Sequence, residues 1–303
     1  AIRDPLWSRG LGDVYKRQTP NKALISKHGD KLGELAEKNK VNLEFEASVA
    51  GGIPIVRTIK EGLATNKITK VYGILNGTCN YIMSEMERTK DSFKNVLKMA
   101  QKLGYAEPGN PKLDLNGYDA LAKIKILTSL AFNKKISKSE CLMEGIENID
   151  YADIKIADQL DFRIKLLGIT EIINNSIFER VHPCLVKKDS YIGNVDGVMN
   201  AVILNGSPIG ESVLQGEGAG PGPTSSALMS DLLSILRGNI KYPFGISKNK
   251  RLKPKIFNKD QSSNSLYLRL EVKDKPGVLS LSLIHISEPT RPERISYAVL
   301  CLK

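Results

Sequence analysis

Cysteine, histidine and tryptophan are scarce in this 303-residue chain, which has four, three and one of them. The cysteines (Cys79, Cys141, Cys184, Cys301) are scattered and form no CxxC pair. That speaks against a disulfide framework and fits a reducing, cytoplasmic setting. With only His28, His182 and His285 present, a His/Cys zinc site is not expected. No apolar run approaches the ~20 residues a membrane helix needs, and no signal peptide is apparent, so no membrane partner is expected. A G-x-G-x-x-G turn opening a helix is also missing. Acidic residues are outnumbered, 33 Asp and Glu against 44 Lys and Arg, for a net charge of +11. The lysines are spread along the chain rather than striped with aromatics, which argues against a nucleic-acid partner. What remains, 41% hydrophobic and 25% charged residues, is ordinary for a globular protein with room for two domains.

The most informative stretch runs from 104 to 123 and changes character halfway. Glu107, Asp114, Asp119 and Lys123 fall within twenty residues. Pro108, Gly109 and Pro111 forbid a helix in the first half. From Asp119 onward Ala120, Leu121, Ala122, Ile124, Ile126, Leu127 and Leu130 predict a mostly buried helix. Asp119 and Lys123 are one turn apart and share a face. The spacing alone allows either a site or an exposed ion pair worth about 0.3–0.5 kcal/mol.

This stretch resembles the active-site segment of the homoserine dehydrogenases. Four others resemble that family in the same order: Thr19-Pro20-Asn21-Lys22, Glu46 to Pro54, Gly73 to Tyr81, and Gly216 to Gly220 with Pro223-Thr224. The resemblance implies reduction of L-aspartate 4-semialdehyde to L-homoserine with NADP (or NAD), in threonine, methionine and isoleucine biosynthesis. It also implies an α/β fold: a remnant of a Rossmann-type nucleotide-binding domain plus an α+β substrate and dimerisation domain with an open mixed sheet. A homodimer is expected through the sheet over about 164–215, where Val202, Ile203, Leu204 and Val213 would form an apolar face in need of a partner. A competing reading keeps the acidic pocket and sheet as a non-catalytic amino-acid-binding or oligomerisation module that uses no cofactor.

Taken in order, residues 1–18 resemble the translation of a sequencing adapter and are read as a non-native tail. The remnant of the nucleotide domain spans 19–45, with a helix over 21–39 and a strand from Val41 to Phe45. The substrate and dimerisation domain spans 46–215. It opens with a glycine turn and a helix over 54–65, then a strand Ile68–Leu75. Asn76 or Thr78 caps the helix after it, and Ser92–Leu103 is another helix, ended by Gly104. A helix from Tyr151 to Leu160 precedes four strands, over 164–169, 177–187, 193–204 and 210–215. Residues 216–240 return to the cofactor through the glycine loop and a helix from Pro223, 241–264 read as a linker, and 265–280 resemble the start of an ACT domain. Residues 281–303 are again adapter-like. With the family's first glycine turn absent upstream of Thr19, this chain is expected to be inactive by itself.

The resemblance also assigns roles. Lys123 is the proton donor for the developing alkoxide, directly or through a water. Asp119 is its catalytic partner, and Glu107, Asp114 and Asp119 are acceptors for the substrate's ammonium. Lys22, Gly104, Glu107, Gly218 and Gly220 are expected at the cofactor. The backbone carbonyls of Glu46, Val49, Gly51 and Ile53 are expected to hold a monovalent cation such as sodium.

Overall fold

Polar side chains punctuate the chain where helices begin. In the computed structural model, which describes residues 17–109, 111–238, 242–258 and 267, Asn21 accepts the Leu24 N–H at 3.0 Å and starts α1 (Lys22–Lys38). Before it, Arg17–Gln18 (β1) pairs in parallel with Leu43–Glu44 (β2). The last two residues of the stretch read as tail thus lie in a small α/β layer. β2 is shorter than the strand expected over 41–45, because the chain coils into a single tight turn at Glu46–Ser48.

The helix expected over 54–65 is instead one α turn (α2, Ile55–Arg57) followed by a wide turn at Thr58–Gly62. Ile55, Val56, Thr58 and Ile59 are β-branched and crowd a regular helix. The Glu46 carboxylate supplies the cap, accepting from Val56 N at 2.8 Å and Arg57 N at 2.9 Å. Beyond it come β3 (Lys67–Ile74), α3 (Gly77–Thr89), α4 (Phe93–Lys102) and the short α5 (Lys112–Leu115). Asn76 proves to be the cap of α3, accepting from Cys79 N at 2.8 Å, while Thr78 donates to Tyr105 O.

α6 (Tyr118–Ala131) follows Gly117, whose φ of 86° favours glycine. It is buried on most of its circumference, including Ala120, Ile124, Ile126 and Leu127. It packs on a six-stranded mixed sheet ordered β4-β6-β5-β3-β7-β8. The remaining strands are β4 (Leu142–Met143), β5 (Phe162–Ile173), β6 (Ser176–Lys187), β7 (Met199–Ser207) and β8 (Gly210–Glu217), with α7 (Tyr151–Gln159) before β5. All neighbours are antiparallel except β4 and β6. Gly168 of β5 marks where helix meets sheet: a Cβ there would lie 2.9 Å from Leu75 and 3.5 Å from Ile124. The sheet is therefore built around β3, which separates β5 from β7.

β7 begins six residues later than expected, and the cause is a buried polar knot. Lys165 is 1% exposed, and its ammonium donates to Val195 O at 2.6 Å, Asp196 Oδ1 at 3.1 Å and Asn80 Oδ1 at 3.2 Å. Asn80 Nδ2 donates to the carbonyls of Val195, Gly197 and Met199. Side chains thus take the carbonyls a longer strand would have used, and residues 193–198 turn instead.

The expected dimer drew on Val202, Ile203, Leu204 and Val213 as an apolar face. Val202 and Leu204 belong to the main core and Ile203 to a second small core with Ile192 and Val195, which leaves only Val213 exposed. The lysine-rich 241–264 stretch, expected as a linker, is anchored over its described residues. Phe244 is buried against Gly29 and Gly33 of α1. Arg251 stacks 3.9 Å over the Phe244 ring and bonds Asp30 and Ser129. Composition missed this because two residues, not a periodic pattern, supply the anchor. The ACT-like stretch 265–280, apart from Tyr267, and both tails apart from Arg17 and Gln18 lie outside the described residues.

Candidate active site

The end of β3, the start of β7 and the end of β8 lie side by side, and with the start of α1 and α8 (Pro221–Leu236) they bring the chain's chemistry-bearing residues toward one end of the sheet. At the centre is Asp119, 9% exposed in the first turn of α6, with Lys123 below it at 8%. Lys123 Nζ donates to Asp119 Oδ2 at 2.9 Å and to Leu75 O at 2.6 Å. Lys22 reaches across from α1 to Asp119 Oδ1 at 2.6 Å. Asn76 Nδ2 completes the set, 3.0 Å from Asp119 Oδ2 and 3.2 Å from Asp114 Oδ1.

Burial alone would push the Asp119 carboxyl up. The ammonium charges of Lys123 and Lys22, and the hydrogen bonds from both, outweigh it and hold the group at about 2. Asp119 is therefore a fixed anion that clamps two cations from different parts of the fold. Asp114 goes the other way: burial and the Asp119 charge raise it, against the Asn76 hydrogen bond. Cys79 donates to the Asp114 carbonyl at 3.3 Å, and full burial pushes its thiol well up, which makes it packing rather than a nucleophile.

Lys123 has three N–H donors and uses two on the protein. Of the roughly four acceptor positions on a carboxylate, Asp119 spends three on Lys22, Lys123 and Asn76. One donor remains on Lys123, and one acceptor position remains on Asp119 Oδ1, the oxygen that Lys22 holds. Glu107, one of the expected acceptors, is exposed, and its backbone carbonyl takes Gln101 Nε2 at 3.1 Å. Among the described residues its carboxylate takes no part in the Asp119 cluster's hydrogen bonds. Gly104 ends the preceding helical stretch with a φ of 78°.

The glycine loop is tied to the Val49–Ile53 turn: Gly51 N donates to Gly218 O at 2.9 Å and Gly52 N to Glu217 O at 2.8 Å. A Cβ on Gly218 would lie 2.1 Å from Asn200 Nδ2. Gly220 has a φ of 117° and precedes Pro221 at the start of α8. Glycines here leave bare backbone that another group can approach closely. In the turn itself Ala50 takes a φ of 48°. The carbonyls of Glu46 and Ile53 accept from Val49 N at 3.3 Å and Ile55 N at 2.7 Å, each with a second lone pair to spare. Beneath the turn lie two buried carboxyls. Burial pushes Glu46 up to about 7 and Asp231 up to about 6, and Asp231 Oδ2 accepts from Glu46 N at 3.1 Å.

Reading the sequence offered Asn76 as a cap and, by resemblance, set its loop near the substrate, but did not single out its side chain, the Leu75 carbonyl or Asn200 as part of the site. Asn76 had a signal, a lone amide closing a strand before Gly-Thr. A backbone carbonyl has none.

An open mixed sheet backed by a buried helix, meeting a small parallel α/β layer at a lysine–aspartate–lysine cluster, defines an α/β protein of the two-layer, dehydrogenase-like build. A sequence profile described as homoserine dehydrogenase matches residues 54–233. The chain belongs to the homoserine dehydrogenase family. It is 44% identical over 267 residues to the homoserine dehydrogenase of Neisseria gonorrhoeae, covering 86% of this chain and 61% of that protein. Against the Helicobacter pylori homoserine dehydrogenase the figures are 43% over 262 residues, 86% and 61%. A homoserine dehydrogenase structure from Thiobacillus denitrificans superposes with a TM-score of 0.79 at 36% identity, covering 89% of this chain and 64% of that one. A hyperthermophilic archaeal homoserine dehydrogenase in complex with NADPH superposes at 0.64 with 26% identity, covering 76% and 67%. The chain thus spans about three fifths of the length of the curated relatives it matches.

Proposed function

We propose that this chain carries the substrate site of a homoserine dehydrogenase, the enzyme that reduces L-aspartate 4-semialdehyde to L-homoserine with NADPH or NADH in the synthesis of threonine, methionine and isoleucine, and that the chain by itself does not turn over. The observation that carries the reading is the Asp119 clamp, which brings two ammonium groups to one carboxylate at the mouth of the sheet. The bound nicotinamide supplies the hydride to the aldehyde carbon. The free N–H of Lys123 then delivers the proton to the resulting alkoxide, and such transfer contributes roughly 10²–10⁴-fold. Lys22 adds positive charge beside the same oxygen. The unused acceptor position of Asp119, together with Asp114 and Glu107, receives the substrate's α-ammonium.

Lys22, Gly104, Glu107, Gly218 and Gly220 form the nicotinamide side of the site. The carbonyls of Glu46, Val49, Gly51 and Ile53 suit a monovalent cation, since backbone carbonyls are the ligands with which proteins hold such ions. Two copies associate through the sheet, for which the exposed edge strand β8 with Val213 is the available surface. Unpaired Cys79, Cys141 and Cys184 support a reducing, cytoplasmic setting.

The deciding experiment follows NADPH oxidation on addition of aspartate semialdehyde, for a full-length member of the family carrying this cluster and for its variant with methionine at the Lys123 position. Turnover that falls at least a hundredfold in the variant, with the substrate KM changed much less, supports the assignment. Equal turnover in both would show that the proton comes from elsewhere.

A further inference from the structure

Asn200, the second residue of β7, is 1% exposed, and both its Oδ1 and Nδ2 are buried without a hydrogen-bond partner. Leaving both ends of a buried amide unpaired is unfavourable, and native proteins rarely do so without cause. The position of this amide is informative. On one side it lies against Gly218, where an added Cβ would be 2.1 Å from Nδ2 and 2.2 Å from Cγ. On the other it faces Gly77, where an added Cβ would be 3.4 Å from Oδ1. Gly77 belongs to the turn whose Asn76 holds Asp119 and Asp114. Gly218 belongs to the loop between β8 and α8, next to Gly220 with its φ of 117°. Asn200 therefore sits between the Asn76 turn and the glycine loop, where a side chain on Gly218 would exclude it and one on Gly77 would touch it.

We propose that Asn200 is a positioning residue for the nicotinamide nucleotide, acting through the glycine loop; the inference rests on the function proposed above. In this structure its amide is unpaired. When the 216–220 loop settles over the nicotinamide, a small shift brings the loop's backbone N–H and C=O groups onto the Asn200 amide. The bonds exist only in the loaded arrangement, so they favour it, and the unpaired amide disfavours the empty one. A differential of this kind is what moves a two-state equilibrium. A second copy of the chain cannot provide the missing partners, because both amide atoms are already sealed inside one chain. The Gly51 and Gly52 N–H groups, which hold the Gly218 and Glu217 carbonyls, keep the loop's other side in place.

The test compares a full-length member of the family carrying this asparagine with its alanine and leucine variants at the Asn200 position, by thermal unfolding without nucleotide and by NADPH titration. An amide with a purely structural role would lower the melting temperature of both variants when removed. The proposal expects the reverse: a melting temperature unchanged or raised in at least one variant, with NADPH dissociation constants raised about tenfold, or about 1.4 kcal/mol. NADPH affinity equal to wild type in a folded variant overturns the role of Asn200 and leaves the proposed function standing. Lowered melting temperature in both variants, with affinity lost in proportion, also overturns it. Failure of the unaltered protein to bind NADPH overturns both readings together.

Discussion

Replacing Lys123 by Met probes the site most directly, because methionine keeps most of the side chain's length and removes only its charge and donors. Two contacts disappear, 2.6 Å to Leu75 O and 2.9 Å to Asp119 Oδ2. Breaking a buried ion pair by removing one partner costs roughly 3–5 kcal/mol. Lys22 remains on Asp119 but is 42% exposed at its side chain, so it offsets only part, and a loss of about 3 kcal/mol at pH 7 is expected. The pH dependence follows from Asp119. Its folded value of about 2 lies below the ordinary 3.8, so the unfolded chain binds the proton more readily. The associated stability, about 2 kcal/mol, is present above pH 4 and lost as the pH falls through the folded value. In the variant the burial that raises Asp119 stays and the Lys123 charge is gone. The gap between the two proteins should therefore be widest at neutral pH and narrow below about pH 4. Urea unfolding at pH 7 and pH 3, with carboxyl-carbon NMR of Asp119, measures both parts. A difference under 1 kcal/mol at pH 7, or an Asp119 titration left unmoved, would refute the clamp.

Gly218→Ala places a methyl group 2.1 Å from Asn200 Nδ2, and overpacking of this kind costs about 1–3 kcal/mol; NADPH titration should show weaker binding alongside a lower urea midpoint. Arg251→Ala removes the bonds to Asp30 and Ser129 and the stack on Phe244. A loss of about 3 kcal/mol with faster proteolysis within 242–258 is expected, and unchanged cleavage would mean the segment is held otherwise. Sedimentation velocity at micromolar concentration should find a dimer, and a well-folded monomer would remove the sheet-edge association.

Local chemistry made much of this protein legible before any coordinates. The 3.6-residue apolar pattern after Asp119 produces α6, and the i,i+4 spacing makes the Asp119–Lys123 pair unavoidable once that helix forms. Asn21 and Ser92 announce helix starts because a short side-chain acceptor satisfies N–H groups that the helix leaves open. The apolar runs over 164–169 and 177–187 announced two strands, which pair as β5 (Phe162–Ile173) and β6 (Ser176–Lys187).

Tertiary structure decided the rest. Strand order cannot be read from a pattern whose period is the same in every strand, so the central place of β3 emerged only from pairing. Lys22 and Asp119 lie almost a hundred residues apart, and nothing local to either predicts their 2.6 Å contact. The same holds for Lys165, whose burial would be prohibitive alone and is sustained by carbonyls and a carboxylate thirty residues away. Periodicity reports which face of an element turns inward. Which distant groups meet there is set by the packing of whole elements, because a buried charge or amide is stable only where the fold places its partners.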